Sequence, residues 1–209
     1  DRIKIGSAYY SDNVKQLELK IKSMRKKLSL LTFLTMFCSF VFGQSPDWGD
    51  FSVYTYQNYM TVLASVEIDG DEQSDPTLEI APFCGNDRRG PVRKTVKALN
   101  GKYLAELSIY GNENDPITFK LYNSKTQTMY DHNVSNDGLK IIINEYIGSL
   151  SEPYAIKFNS VAKVGDVKFG RVNDAVNYAQ AGDVVTVISD NEITSTVVVN
   201  KNITLDLNG

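Results

Sequence analysis

The sequence is poor in the side chains that most metal and nucleophile chemistry draws on. It has one histidine, His132, and two cysteines, Cys38 and Cys84. His132 follows Asp131 in a polar stretch, and no motif sets a serine or cysteine beside it, so a catalytic triad has no foothold. There is no zinc-type Cys/His spacing and no glycine-rich phosphate loop after a strand. Excess positive charge is also absent: the formal net charge is -3, and many of the Lys and Arg residues stand in the leading segment. Nucleic-acid binding needs a basic footprint, and this chain lacks one. No apolar run reaches the length of a comfortable membrane span, since the greasiest, Leu28–Phe42, is too short.

What is present begins with the segment that holds this run. Met24-Arg25-Lys26-Lys27 is a short basic stretch, Leu28–Phe42 follows it, and Gly43-Gln44-Ser45-Pro46 supplies small residues where a peptidase can cut. That order is the pattern of a secretory signal peptide, with cleavage expected between Gly43 and Gln44. Residues 24–43 are thus expected to form an apolar signal helix that touches the membrane only before cleavage. Residues 1–23 read either as an upstream frame preceding a true start at Met24, or as the cytoplasmic tail of a signal anchor. Cys38 is not a lipoprotein cysteine, because Phe37 before it is not small. Cleavage would leave Cys84 alone, so the exported part would rest on its core rather than on a disulfide.

From Trp48 to Asn159 the chain is a series of short strands. Phe51–Tyr56 alternates, Met60–Ile68 places Val62, Ala64, Val66 and Ile68 on one face, and Asp69-Gly70-Asp71 turns the chain. Leu78–Phe83, Tyr103–Tyr110, Ile117–Tyr122, Thr128–His132, Ile141–Glu145 and Tyr154–Phe158 complete the set. Many short strands without a long helical pattern predict a mainly β fold, an antiparallel β-sandwich over residues 44–159. The run Glu79-Ile80-Ala81-Pro82-Phe83-Cys84-Gly85-Asn86-Asp87-Arg88-Arg89-Gly90, with Tyr103-Leu104 and Ile117–Tyr122, resembles small immunoglobulin-like β-sandwich modules in secreted or surface proteins of Bacteroidetes-type bacteria. Such modules often carry a second cysteine shortly after the first. Arg88-Arg89 occupies that place here.

Residues 160–209 change character. Val164–Phe169 suits a hairpin edge, and Val172–Ala181 is the one good helix, with Val172, Ala175, Val176 and Ala179 as its apolar stripe. Val184–Ser189, Thr196–Val199 and Ile203–Leu207 then read as strands. Gln180-Ala181-Gly182-Asp183-Val184-Val185 and Lys201–Gly209 resemble the start of right-handed parallel β-helix proteins of the pectin-lyase-like kind. The resemblance implies a short α/β cap and the first coil of a truncated β-helix. A coil cannot bury its apolar face alone, and about three or more are needed for stability, so the expectation is that partner coils lie downstream.

Two constellations suggest ligands. Asp69, Asp71 and Asp75, with Glu67 and Glu72, crowd one loop; they read as oxygen ligands for Ca²⁺ or as a solvated hairpin turn. Arg88, Arg89, Arg93 and Lys94 read as a basic grip on a glycan or as a solvated loop, and Trp48, Tyr54, Tyr56 and Tyr59 as sugar-stacking rings or as sheet packing. Trp48, Tyr56, Arg88 and Arg89 are the candidate glycan contacts. The sequence therefore points to an exported, extracellular or outer-surface protein with no catalytic constellation, contacting carbohydrate or a host or cell-surface protein. The alternative is the N-terminal part of a polysaccharide lyase or hydrolase whose catalytic coils lie downstream.

Overall fold

The computed structural model describes residues 45–131, 138–189 and 196–208. The expected leader, the signal helix, the Gly43–Gln44 cleavage point and His132 lie outside the described residues. Residues 43–209 belong to one compact unit. Its described residues are mainly β, with several antiparallel sheets and one α-helix.

Two sheets share the first core. The first is built on β1 (Tyr59–Ile68). On one side of β1 lie β2 (Asp71–Glu72) and β7 (Tyr103–Tyr110), with β6 (Val96–Lys97) outside β7. On the other, β10 (Tyr146–Ile147) and β11 (Tyr154–Phe158) run parallel to β1 as one interrupted strand. The second sheet has β3 (Leu78–Cys84) flanked by β8 (Thr118–Asn123), then β9 (Thr128–Asp131). Its far edge is made by β4 (Asp87–Arg88) and β5 (Arg93–Lys94), both paired with β3.

The two-residue period of the strands sets the core. Met60, Val62, Ala64 and Val66 of β1, and Leu107 and Ile109 of β7, are fully buried. Leu78 and Ile80 of β3 and Phe119 and Leu121 of β8 join them in one cluster with Ile156 and Phe158 of β11. Each of these side chains larger than alanine contributes roughly 1.5–3 kcal/mol by leaving water. Asp69 and Gly70, both at positive φ (55° and 88°), make the tight β1–β2 turn expected from Asp-Gly.

One connection ties the sheets together along their side. The chain leaves β4 through Arg89, whose amide donates to Pro82 O (2.8 Å) on β3 and whose carbonyl accepts from Tyr110 N (2.7 Å) on β7. Gly90 follows where the backbones nearly touch: a Cβ there would lie 2.3 Å from Ser108 O. The strand then serves β3 as β5, bends at buried Thr95 and serves β7 as β6.

A second, smaller core follows. β12 (Ala162–Val164) and β13 (Val167–Phe169) form the expected hairpin, β14 (Val184–Val187) pairs with β12, and β15 (Thr204–Asp206) runs parallel to β14. The helix α1 (Val172–Tyr178) lays the predicted stripe of Val172, Ala175, Val176 and Ala179 against Phe169 and Val185. No side chain caps α1. Instead Asp174 in its first turn reaches out to β9, accepting from Thr128 Oγ1 (2.8 Å) and Met129 N (2.9 Å). Arg171 grips Asp131 through two bonds of 2.7 Å. Gly170 N donates to Thr128 Oγ1 (3.1 Å). The edge of β9 is thus covered by the second core, which also protects it from pairing with another chain.

Three expected strands differ. Phe51–Tyr56 holds a 3-10 turn at Val53–Thr55, because the Ser52 side chain accepts from Tyr54 N and neither neighbouring sheet offers that stretch a ladder. Ile141–Glu145 is not a strand; Ile141 is buried, but its N–H and C=O bond to Asp115 and Asn114 in a facing loop. Thr196–Val199 forms no ladder, and Val198 and Val199 stay exposed.

Candidate functional site

The 3-10 turn folds residues 50–56 onto β4, and an open cavity of about 340 Å³ lies between them. Phe51 and Tyr56 give it aromatic walls, Arg88 a cation, and Asp50 and Asp87 carboxylates; Ser52 and Thr55 complete the lining. Tyr56 donates its phenol hydrogen to Asp87 Oδ2 at 2.6 Å. That bond, followed by burial, holds the Tyr56 phenol above its ordinary pKa. The Arg88 guanidinium lies 5.5 Å from the Phe51 ring centroid, and its Nε is buried with no hydrogen-bond partner among the described residues.

Arg89 lies under this site as a support. It is 8% exposed, with its guanidinium 4.2 Å from the Tyr56 ring centroid. Its Nη1 donates to Asp115 Oδ2 (3.1 Å). Its Nε lies 3.1 Å from Asp87 Oδ2, an ion-pair contact without hydrogen-bond alignment. The reading of Arg88, Arg89, Arg93 and Lys94 as a solvated loop is therefore corrected. Arg88 ends a strand, Arg89 is buried, and Arg93 and Lys94 form β5, just before the chain switches sheets at Thr95.

An aromatic row leads away from the cavity. Phe51 packs on Tyr110 (5.5 Å between centroids), and Tyr110 packs on its cross-strand partner Tyr59 (5.5 Å). Tyr59 is 46% exposed. Tyr146 pairs with Thr61, whose neighbours Met60 and Val62 face the core, so Tyr146 shares the outer face; it is 52% exposed. Trp48 does not line the cavity. Its indole donates to Ser45 Oγ (3.2 Å), which donates to Glu79 Oε2 (2.6 Å).

The acidic loop is drawn apart. Asp69 accepts from Ser160 N (2.7 Å), Ser160 Oγ (2.9 Å) and Lys168 Nζ (2.9 Å), joining the two cores. Burial pushes its carboxyl upward, but these donors outweigh it and leave the pKa lowered. Asp75 accepts from Thr77 and pairs with Lys125 (2.8 Å), again with a lowered pKa after burial is outweighed. Asp71 is exposed on β2. Among the described residues no group of three or more His, Cys, Asp and Glu side chains converges as a metal site.

The sequence reading therefore named Tyr56, Arg88 and Arg89, which the structure brings together, and Trp48, which it places elsewhere. It did not name Asp50, Phe51 or Asp87 as contacts, nor Asp115 as the partner of Arg89. The signals that were there are the Ser52 cap and the carboxylate adjoining Arg88. A scan against protein-family models and searches of curated proteins and of solved structures found no match to this chain.

Proposed function

We propose that this chain is an exported, non-catalytic surface protein that contacts carbohydrate through the cavity between residues 50–56 and β4. The observation that carries the reading is the meeting of two aromatic rings with an arginine and two carboxylates around one cavity, across segments far apart in sequence. Sugar rings offer C–H faces to aromatic walls and hydroxyls to Arg and carboxylate groups. Asp50 and Asp87 offset Arg88, which favours a neutral, polyhydroxylated ligand over a strongly anionic one. The aromatic row would extend the contact along a chain of sugars. In this reading residues 44–159 are the immunoglobulin-like sandwich, supported by two sheets sharing one core. A glycan array tests the function. Binding to neutral glycans that is lost in Arg88→Ala and Tyr56→Ala supports it, and an array without hits removes it.

The alternative, the N-terminal part of a polysaccharide lyase or hydrolase, draws on the parallel pairing of β14 with β15. That step suits a β-helix, and Val198, Val199 and Leu207 are exposed where a further coil would stack. Were the full gene product to contain further coils, clustered Asp or Lys/Arg on them would favour the enzyme, and Asn/Thr ladders would favour a stalk. The chain itself is expected to show no turnover of pectin in an unsaturated-product assay. Export is tested by N-terminal sequencing of the secreted protein, with Gln44 as the expected first residue.

A further inference from the structure

A second cavity, of about 540 Å³, shares no lining residue with the first. It lies on the outer face of the first sheet, beside the strand that switches sheets at Thr95. Its floor is aliphatic: Leu63 of β1 and Leu104 of β7, with Val96 and Leu150 as walls. Leu104 is only 5% exposed although it lies outside the main core cluster. Val96 and Leu150 are 65% and 51% exposed, so the apolar surface is open to a partner.

The rim is cationic. Arg93, Lys94 and Lys97 face one lining carboxylate, Glu106, on a chain whose net charge is -3. Lys94 reaches Glu79 at 3.4 Å, whereas Arg93 and Lys97 make no ion pair among the described residues. Lysines that merely guard a sheet edge against aggregation need no apolar floor beneath them. Among the described residues no aromatic ring lines this groove, so its lining does not suit stacking on sugars, and branched aliphatic walls suit amino-acid side chains instead. Among the described strands β6, two residues long, pairs only with β7, which leaves a short edge unpaired beside the groove.

We propose that this groove docks an acidic, extended polypeptide segment of a partner protein, its aliphatic side chains on Leu63, Leu104 and Val96 and its carboxylates on Arg93 and Lys97. Charge complementarity selects the partner, and the aliphatic floor gives it a desolvated seat.

The test is fluorescence anisotropy of the full chain with three labelled probes: a peptide alternating glutamate and leucine, its lysine–leucine counterpart, and a polyuronate. The expected result is binding of the glutamate–leucine peptide that weakens as salt rises. Arg93→Glu combined with Lys97→Glu should weaken it roughly tenfold or more, since like charges then meet at the rim. Val96→Asp should weaken it as well, and its exposed position keeps that variant folded if the charge reversals do not fold. Phe51→Ala should leave it unchanged. Equal binding of the lysine–leucine peptide, a preference for the polyuronate, or full-strength binding by folded groove variants would overturn the proposal.

Discussion

Asp174→Ala should loosen the second core from the first. The carboxylate oxygen Oδ2 takes two hydrogen bonds, from Thr128 Oγ1 at 2.8 Å and from Met129 N at 2.9 Å. Thr128 is fully buried and Met129 is 8% exposed, so water cannot easily replace the lost acceptor. A hydrogen bond to a charged group contributes roughly 1.5–3 kcal/mol. The two share one oxygen and are not additive, which sets the loss at about 2–4 kcal/mol. Alanine's better helix propensity returns at most about 0.7 kcal/mol of it. In a domain of this size each kcal/mol moves Tm by about 2–4 °C, so a fall of roughly 3–16 °C is expected. Asp174→Asn keeps one neutral acceptor and should fall by less than half as much. Thermal and urea unfolding followed by circular dichroism reads both. An Asp174→Ala variant within about 0.5 kcal/mol of the wild type would refute the view that this carboxylate joins the cores.

Three further outcomes follow from the packing and the charges. Asp69 has a lowered folded pKa, so the stability it contributes is present above about 4, the ordinary carboxyl value, and is lost as pH falls through the folded value. Lys168 is raised, chiefly by its bond to Asp69, so its share is present below about 10.4 and is lost as pH rises through the folded value. Urea midpoints measured against pH should therefore decline on both limbs, and Asp69→Asn should flatten them. Gly90→Ala drives a methyl to within 2.3 Å of Ser108 O and 2.8 Å of Pro82 Cγ, and should cost about 1–3 kcal/mol in chemical unfolding through overpacking. Leu107→Ala empties a fully buried site facing the second sheet and should cost about 2–5 kcal/mol by the same measurement.

The strands whose side chains alternate against a buried face were legible. Tyr103–Tyr110 and Tyr154–Phe158 have the expected bounds, and the helix stripe at Val172, Ala175, Val176 and Ala179 is buried as its period required. Alternation failed where no ladder was on offer. Phe51–Tyr56 has strand composition, but a local Ser52 cap wins over a sheet that is not there. Burial without a ladder also misled at Ile141, which fills the core from a loop. The candidate site was only half legible. Tyr56, Arg88 and Arg89 have the right chemistry, yet nothing local shows that Arg89 is buried, since Asp115 holds it from another part of the chain. Asp69 looked like a solvated turn or a metal ligand because Lys168 and Ser160, which hold it, lie in the other core. Long-range partners of this kind leave no periodic trace.

An NMR titration with a neutral oligosaccharide reads directly where a sugar sits on this surface. Shifts should concentrate on the Arg88 guanidinium and the Phe51 and Tyr56 ring signals, weaken along Tyr110 and Tyr59, and leave the Trp48 indole unmoved. Shifts confined to Trp48 or to the Arg93–Lys97 groove, or no shifts at saturating oligosaccharide, would contradict it.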